Sequence, residues 1–109
     1  EKEIKNYTPD FHFIKTLPFR MLVITARSDQ SDLQFVSRVF APTAGVDEDP
    51  ATGIAHCILG PIWSEKLNEK TLKAFQASER GAFFDIQIKQ ARIVLAGKSR
   101  LVLKGSLFV

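Results

Sequence analysis

The segment Pro50–Leu67 constrains the chain more than any other. Ala51, Ile54, Ala55, Cys57, Ile58, Leu59, Ile62, Trp63 and Leu67 fall on every side of a helical wheel rather than on one stripe. A helix that is apolar all round is read as a buried helix, so the rest of the chain has to enclose it. Pro61 would remove the hydrogen bond back to Cys57, which predicts a kink or an early break there. The polar run Ser64-Glu65-Lys66 marks where the element reaches solvent.

What surrounds this helix reads mostly as strands. Met21–Arg27 is a continuous apolar run that suggests a strand buried on both faces. Gln34–Phe40 is β-prone and is closed by Pro42. After the helix come Leu72–Ser78, then Phe84, Ile86 and Ile88 alternating with Asp85, Gln87 and Lys89. Ile93–Leu95, Leu101–Leu103 and Leu107–Val109 follow, separated by Gly97-Lys98-Ser99 and Gly105-Ser106, as expected of an antiparallel meander. A short helix near the start is predicted with Thr8 as its cap and Pro9 at its first position, running through Phe11, Ile14 and Leu17 to a stop before Pro18. Together these elements predict one α+β domain over residues 1–109, an antiparallel, barrel-like sheet wrapped around a central buried helix.

Composition removes several function classes. Fifteen Lys and Arg against twelve Asp and Glu give a net charge of +3, but the cations are scattered, with neither a basic run nor an aromatic stripe to suggest nucleic-acid binding. No stretch approaches the roughly 18–20 apolar residues of a membrane helix. Cys57 is the only cysteine, which excludes an internal disulfide and agrees with a reducing, cytoplasmic location. Glu1 rather than Met opens the chain, which suggests a piece of something longer.

Chemistry concentrates at Gly45-Val46-Asp47-Glu48-Asp49-Pro50-Ala51-Thr52-Gly53-Ile54-Ala55. A helix N-terminus carries unpaired N–H groups and a positive dipole end, and so receives anions. Gly53 lets a ligand approach the backbone, and Asp49 stands at the mouth, available for proton transfer or for orienting a ligand. The residues equally admit a plainer reading, in which Asp49 caps the helix and the acidic loop is only solvated. His56 and Cys57, adjacent on the helix, face two directions without a third ligand, so no metal site is expected. Cys57 is expected in the core and His56 as a hydrogen-bonded structural residue.

Arg38-Val39-Phe40-Ala41-Pro42, the Gly45-to-Cys57 stretch, Trp63-Ser64-Glu65-Lys66-Leu67 and Phe75-Gln76-x-Ser78-x-Arg80-Gly81 are together similar to the hallmark segments of phenazine-biosynthesis PhzF-like proteins. The resemblance runs from about Met21 onward and implies the diaminopimelate epimerase-like fold, of which this chain would be the second, C-terminal lobe. In that family the ligand lies between two lobes, at paired helix N-termini. The best-understood member isomerises a hydroxylated dihydroanthranilate by proton transfer without cofactor or metal. The resemblance therefore implies a lobe of a cofactor-independent isomerase or epimerase acting on a small carboxylate-bearing substrate. Asp49 would be the catalytic, substrate-positioning residue, and the Gly53 and Ile54 amides would hold the substrate carboxylate. Ile54 stands where the family usually has Ser, and Ala82 where it often has a second Gly. The family's acid/base Glu and a nearby His belong to the first lobe, which nothing here matches, and neither Glu48 nor Glu65 takes that role. The lobe alone is expected to be inactive and to pair with the missing lobe or with a second copy as a homodimer. The alternative is a non-catalytic interaction and dimerisation module derived from the same family.

Overall fold

The computed structural model describes residues 1–109. Its elements are α1 (Lys2–Asn6), α2 (Phe11–Thr16), β1 (Leu22–Arg27), β2 (Phe35–Ala41), a 3₁₀ turn (Pro42–Ala44), β3 (Val46–Glu48), α3 (Gly53–Leu67), β4 (Thr71–Gln76), β5 (Ala82–Lys89) and β6 (Arg92–Ala96). The strands form one sheet in the order β1-β2-β4-β5-β6, with β3 also paired to β2. The α+β class is as expected, but the sheet is mixed and open. β2 and β4 run parallel, joined through α3, and β1 and β6 are left as edges. A parallel pair needs a crossover connection, and the apolar helix supplies it.

β2 is the strand that both neighbours cover, and all of its residues except Arg38 are buried. The sequence reading gave that place to Met21–Arg27. Instead β1 is a half-buried edge, because apolar continuity cannot say which of two adjacent strands lies inside. Phe35, Leu59, Trp63, Leu72, Ala74 and Ile86 make the core. Burying a large apolar side chain of this kind contributes about 1.5–3 kcal/mol. Trp63 stacks on Phe35 with centroids 5.5 Å apart and planes 6° from parallel. Its indole N–H donates to Thr25 Oγ1 at 3.0 Å, and that hydroxyl donates to the Val36 carbonyl at 2.7 Å. Gly60 lets α3 lie close to the sheet, since a Cβ there would sit 3.0 Å from Ile86 Cγ2.

The helix is covered on one face only. Ala55, His56, Leu59, Gly60 and Trp63 are buried, whereas Ile54, Ile58 and Ile62 are 63, 58 and 43 % exposed. The expectation of a wholly enclosed helix is thus corrected: α3 lies against one face of the sheet, and that single layer covers one side of the wheel. Cys57 lies on the uncovered side and is exposed rather than in the core. Pro61 does not break the helix, which runs on to Leu67. It shares the exposed side with Cys57, so the carbonyl it leaves unpaired is where water can reach it.

Two further expectations fail for local reasons. Asp10, not Thr8, caps α2, its carboxylate accepting from the Phe13 N–H at 2.9 Å, and Pro9 stays outside the helix. Residues 97–109 hold neither of the two strands expected there, and Leu101, Val102, Leu103, Leu107, Phe108 and Val109 are all exposed. A short apolar run becomes a strand only when a neighbouring strand pairs with it, and none pairs with these two.

Candidate functional site at the mouth of α3

β2 changes partners along one edge, and the site forms where it does. Its first half, Phe35–Ser37, pairs with β4, and its end, Phe40 and Ala41, pairs with β3. In between, Ser37 O accepts from the Ala77 N–H at 2.8 Å and Val39 O from the Asp49 N–H at 3.0 Å. The chain leaving β3 and the chain leaving β4 therefore meet beside the middle of β2. The first turn of α3 begins four residues beyond Asp49.

Arg38 braces this junction. Its Nε and Nη2 each donate to one Glu48 oxygen at 2.8 Å, while Nη1 donates to the Tyr7 carbonyl at 2.7 Å. The Glu48 contact holds the Arg38 pKa above its ordinary value, against the opposing effect of partial burial. Both Glu48 oxygens are thus taken up by Arg38.

The loop Asp49–Thr52 is tied down from within and from behind. Asp49 Oδ2 accepts from Thr52 Oγ1 at 2.8 Å and Oδ1 from the Ala51 N–H at 3.3 Å. From behind, the fully buried Gln76 accepts the Thr52 N–H at 2.8 Å and donates through Nε2 to the Asp49 carbonyl and to Thr52 Oγ1. Ser78 Oγ donates to the Pro50 carbonyl at 2.9 Å and accepts from the Gly81 N–H at 3.1 Å. The Gln76-x-Ser78-x-Arg80-Gly81 segment and the Asp49-Pro50-Ala51-Thr52 segment are thus one hydrogen-bonded unit, although some 25 residues separate them.

The Asp49 carboxylate does not cap α3, and Thr52 at the N-cap position makes no side-chain capping bond either. The first-turn amides of Gly53 and Ile54 have no partner within the chain, as four N–H groups at any helix start have none from the helix itself. Asp49, Thr52 and Ile54 line a hollow of about 380 Å³ together with Arg20, Met21 and Val46. Arg20 is the cation of this hollow. No motif marked it, because it belongs to the approach to β1 and reaches the mouth only through the fold. Gln76 was visible as part of a motif, but its buried role was not.

His56 lies directly behind the mouth and is fully buried. Its Nδ1 contacts the Thr52 carbonyl at 2.8 Å, which fixes that nitrogen as the donor, and Nε2 faces Ser37 Oγ at 3.3 Å. The ring stacks on Phe84 at 3.8 Å. Burial lowers its pKa below the ordinary 6.5, only partly offset by the Thr52 contact, so the imidazole is neutral at pH 7. It supports the helix start and does not open onto the hollow. No group of three or more His, Cys, Asp or Glu side chains converges as metal ligands would.

Comparison with known proteins places this architecture. The chain is 39 % identical over its whole length to an uncharacterized isomerase of Halalkalibacterium halodurans, of which it spans 41 %. It is 45 % identical over 105 residues to an uncharacterized isomerase of Pseudomonas aeruginosa, covering 96 % of this chain and 40 % of that one. The crystal structure of a PhzF-family phenazine biosynthesis protein from Enterococcus faecalis superposes with a TM-score of 0.88 at 37 % identity, over 100 % of this chain and 42 % of that one. The chain therefore spans about two fifths of the length of these relatives, in agreement with one lobe. The sequence profile of the phenazine biosynthesis-like proteins matches residues 1–105, and the chain belongs to this PhzC-PhzF family.

Proposed function

We propose that this chain is one lobe of a cofactor-independent isomerase in which the α3 mouth holds the carboxylate of a small substrate and Asp49 orients the group that exchanges a proton. The observation that carries this reading is the uncapped helix start. Asp49 and Thr52 spend their side chains on each other and on the loop, and Gly53 and Ile54 keep free N–H groups at the positive end of a 15-residue helix. A carboxylate is stabilised at such a terminus. Arg20 in the same hollow adds a positive charge, and Met21 and Val46 supply apolar walls for the body of the ligand. A single oriented carboxylate does not move a proton between two carbons, so the acid/base group comes from the complementary lobe, and the lobe alone gives no turnover. Ile54 contributes its amide but no hydroxyl, so substrate is held there by backbone alone.

The exposed Ile54, Ile58 and Ile62 favour a second role for the same face. They form an apolar stripe along α3 suited to packing against the complementary lobe or a second copy. Titrating benzoate against the backbone amide resonances tests the first reading. The expected result is a weak saturable shift at Gly53 and Ile54, tightened by about two- to fivefold in Asp49→Asn as one negative charge leaves the mouth. No shift in either protein would reduce Asp49 to a brace of its own loop.

A further inference from the structure

A hollow with basic walls lies beside Ala51 of the Asp49–Thr52 loop. It has a volume of about 500 Å³ and is lined by Arg80, Lys98 and Arg100, with Ser99, Phe83 and Ala51. No acidic side chain is among its lining residues, and none of the three cations takes part in an ion pair. Acids stand at its margins: Arg80 also lines an adjoining hollow with Glu48 and Glu79, and Lys98 one with Asp32 and Asp85, but Glu48 is bound on both oxygens by Arg38 and none of these acids is paired with the three cations.

Arg80 is not on a loose turn. Ser78 ties that turn to the Pro50 carbonyl and to the Gly81 N–H. Gly81 adopts φ +73°, a left-handed conformation, and a Cβ there would meet the Phe75 ring at 3.0 Å. The backbone that carries Arg80 is thereby fixed between the Asp49–Thr52 loop and an aromatic ring. Phe83, 62 % exposed, packs at an angle against Phe75 with centroids 4.7 Å apart and offers a steady aromatic surface.

We propose that this hollow is a binding site for a phosphate-bearing small molecule with an aromatic body, held by Arg80, Lys98 and Arg100 and stacked on Phe83. A phosphomonoester carries close to two negative charges at pH 7. Three cations that form no ion pair answer that charge, and the planar donor forks of two arginines match tetrahedral oxyanions better than they match a point charge. The site is separate from the helix mouth and does not depend on the isomerase reading: the two hollows take different residues of one loop, Ala51 lining this one and Asp49 the other.

The test is an amide and aromatic-ring NMR titration of the 109-residue chain with phenyl phosphate, inorganic phosphate and benzoate at constant ionic strength. Phenyl phosphate is expected to shift Arg80, Lys98, Arg100 and Phe83 together and saturably. Inorganic phosphate should shift the three cations less, and benzoate least. Arg80→Gln, Lys98→Gln and Arg100→Gln should each weaken phenyl phosphate by roughly threefold, the scale of one exposed charge contact, and the triple variant should abolish saturation. Both Lys98 and Arg100 lie outside every helix and strand, so their variants fold as the parent does. Shifts that sodium chloride reproduces, or binding that moves only Gly53 and Ile54, would overturn the proposal.

Discussion

Gln76 is the side chain on which the mouth of α3 depends most, and replacing it measures that dependence. In Gln76→Met the side-chain volume is nearly kept, but three hydrogen bonds go at once: from the Thr52 N–H, to the Asp49 carbonyl and to Thr52 Oγ1. The Thr52 hydroxyl retains Asp49 as a partner, so its loss is minor. The Thr52 N–H is left without an acceptor at a residue only 5 % exposed. An unsatisfied buried donor of this kind costs about 1–3 kcal/mol, and a weakened Asp49 carbonyl brings the expected total to roughly 2–4 kcal/mol. For a domain of this size, stable by about 5–15 kcal/mol, that is a large share. Trp63 is the only tryptophan and is stacked in the core, so its fluorescence reports urea unfolding directly. The midpoint should fall with the slope unchanged. Gln76→Glu adds a diagnostic. At neutral pH its carboxylate would face the Asp49 carbonyl with no proton to donate, and protonation restores a donor. Its stability relative to the parent at the same pH should therefore recover as pH falls. A loss under about 0.5 kcal/mol in Gln76→Met, the range of an ordinary surface change, would show that Gln76 does not hold the loop.

Other outcomes follow from the same contacts. His56 has a folded pKa below its unfolded value of 6.5, so the unfolded chain binds the extra proton. Its contribution is complete above about pH 6.5 and is lost as pH falls below that value, by up to about 1.4 kcal/mol per pH unit. Urea midpoints from pH 7.5 to 5 should slope accordingly, and His56→Gln should flatten them. Glu1, held to about 2 chiefly by Lys5, with Ser28 and Asp29 adding to it, also loses stability as pH falls towards its unfolded value of 4.5, so the part of the slope due to His56 is the part that His56→Gln removes. Gly60→Ala should destabilise by about 1–3 kcal/mol through overpacking against Ile86 and Ile88, measured by the same unfolding curve. Ile58→Lys should lower self-association in sedimentation while leaving the urea midpoint within about 0.5 kcal/mol, and an unchanged sedimentation profile would remove the apolar stripe of α3 as a pairing surface. Cys57, exposed on that stripe, should react with a maleimide nearly as fast in the native as in the unfolded chain.

Much of the fold was legible because it rests on local pattern. The alternation of Phe84, Ile86 and Ile88 and the apolar run from Ala51 to Leu67 led directly to β5 and α3. What the sequence hid was set by distant partners. Whether β1 or β2 lies inside depends on β4 arriving beside β2, and which side of α3 is covered depends on the one sheet face it lies against. At the start of α3 the motif singled out Asp49, Gly53 and Ile54, but periodicity carried no sign that Gln76 would reach back to Thr52 or that Arg20 would line a hollow with Asp49. Spacing along the chain holds no record of contacts made across a parallel pair.

That parallel pair also sets an order of events. Both ties behind the Asp49–Thr52 loop come from the later part of the chain, Gln76 from the end of β4 and Ser78 just beyond it, while the loop itself precedes α3. On a chain emerging from its N-terminus, β1, β2 and the whole of α3 can be present while the mouth still lacks its supports. The loop becomes rigid only when β4 has docked beside β2, a long-range closure that is slow compared with forming the helix. The site is thus among the last parts of the lobe to mature, and an immature chain presents a formed helix with an unset mouth.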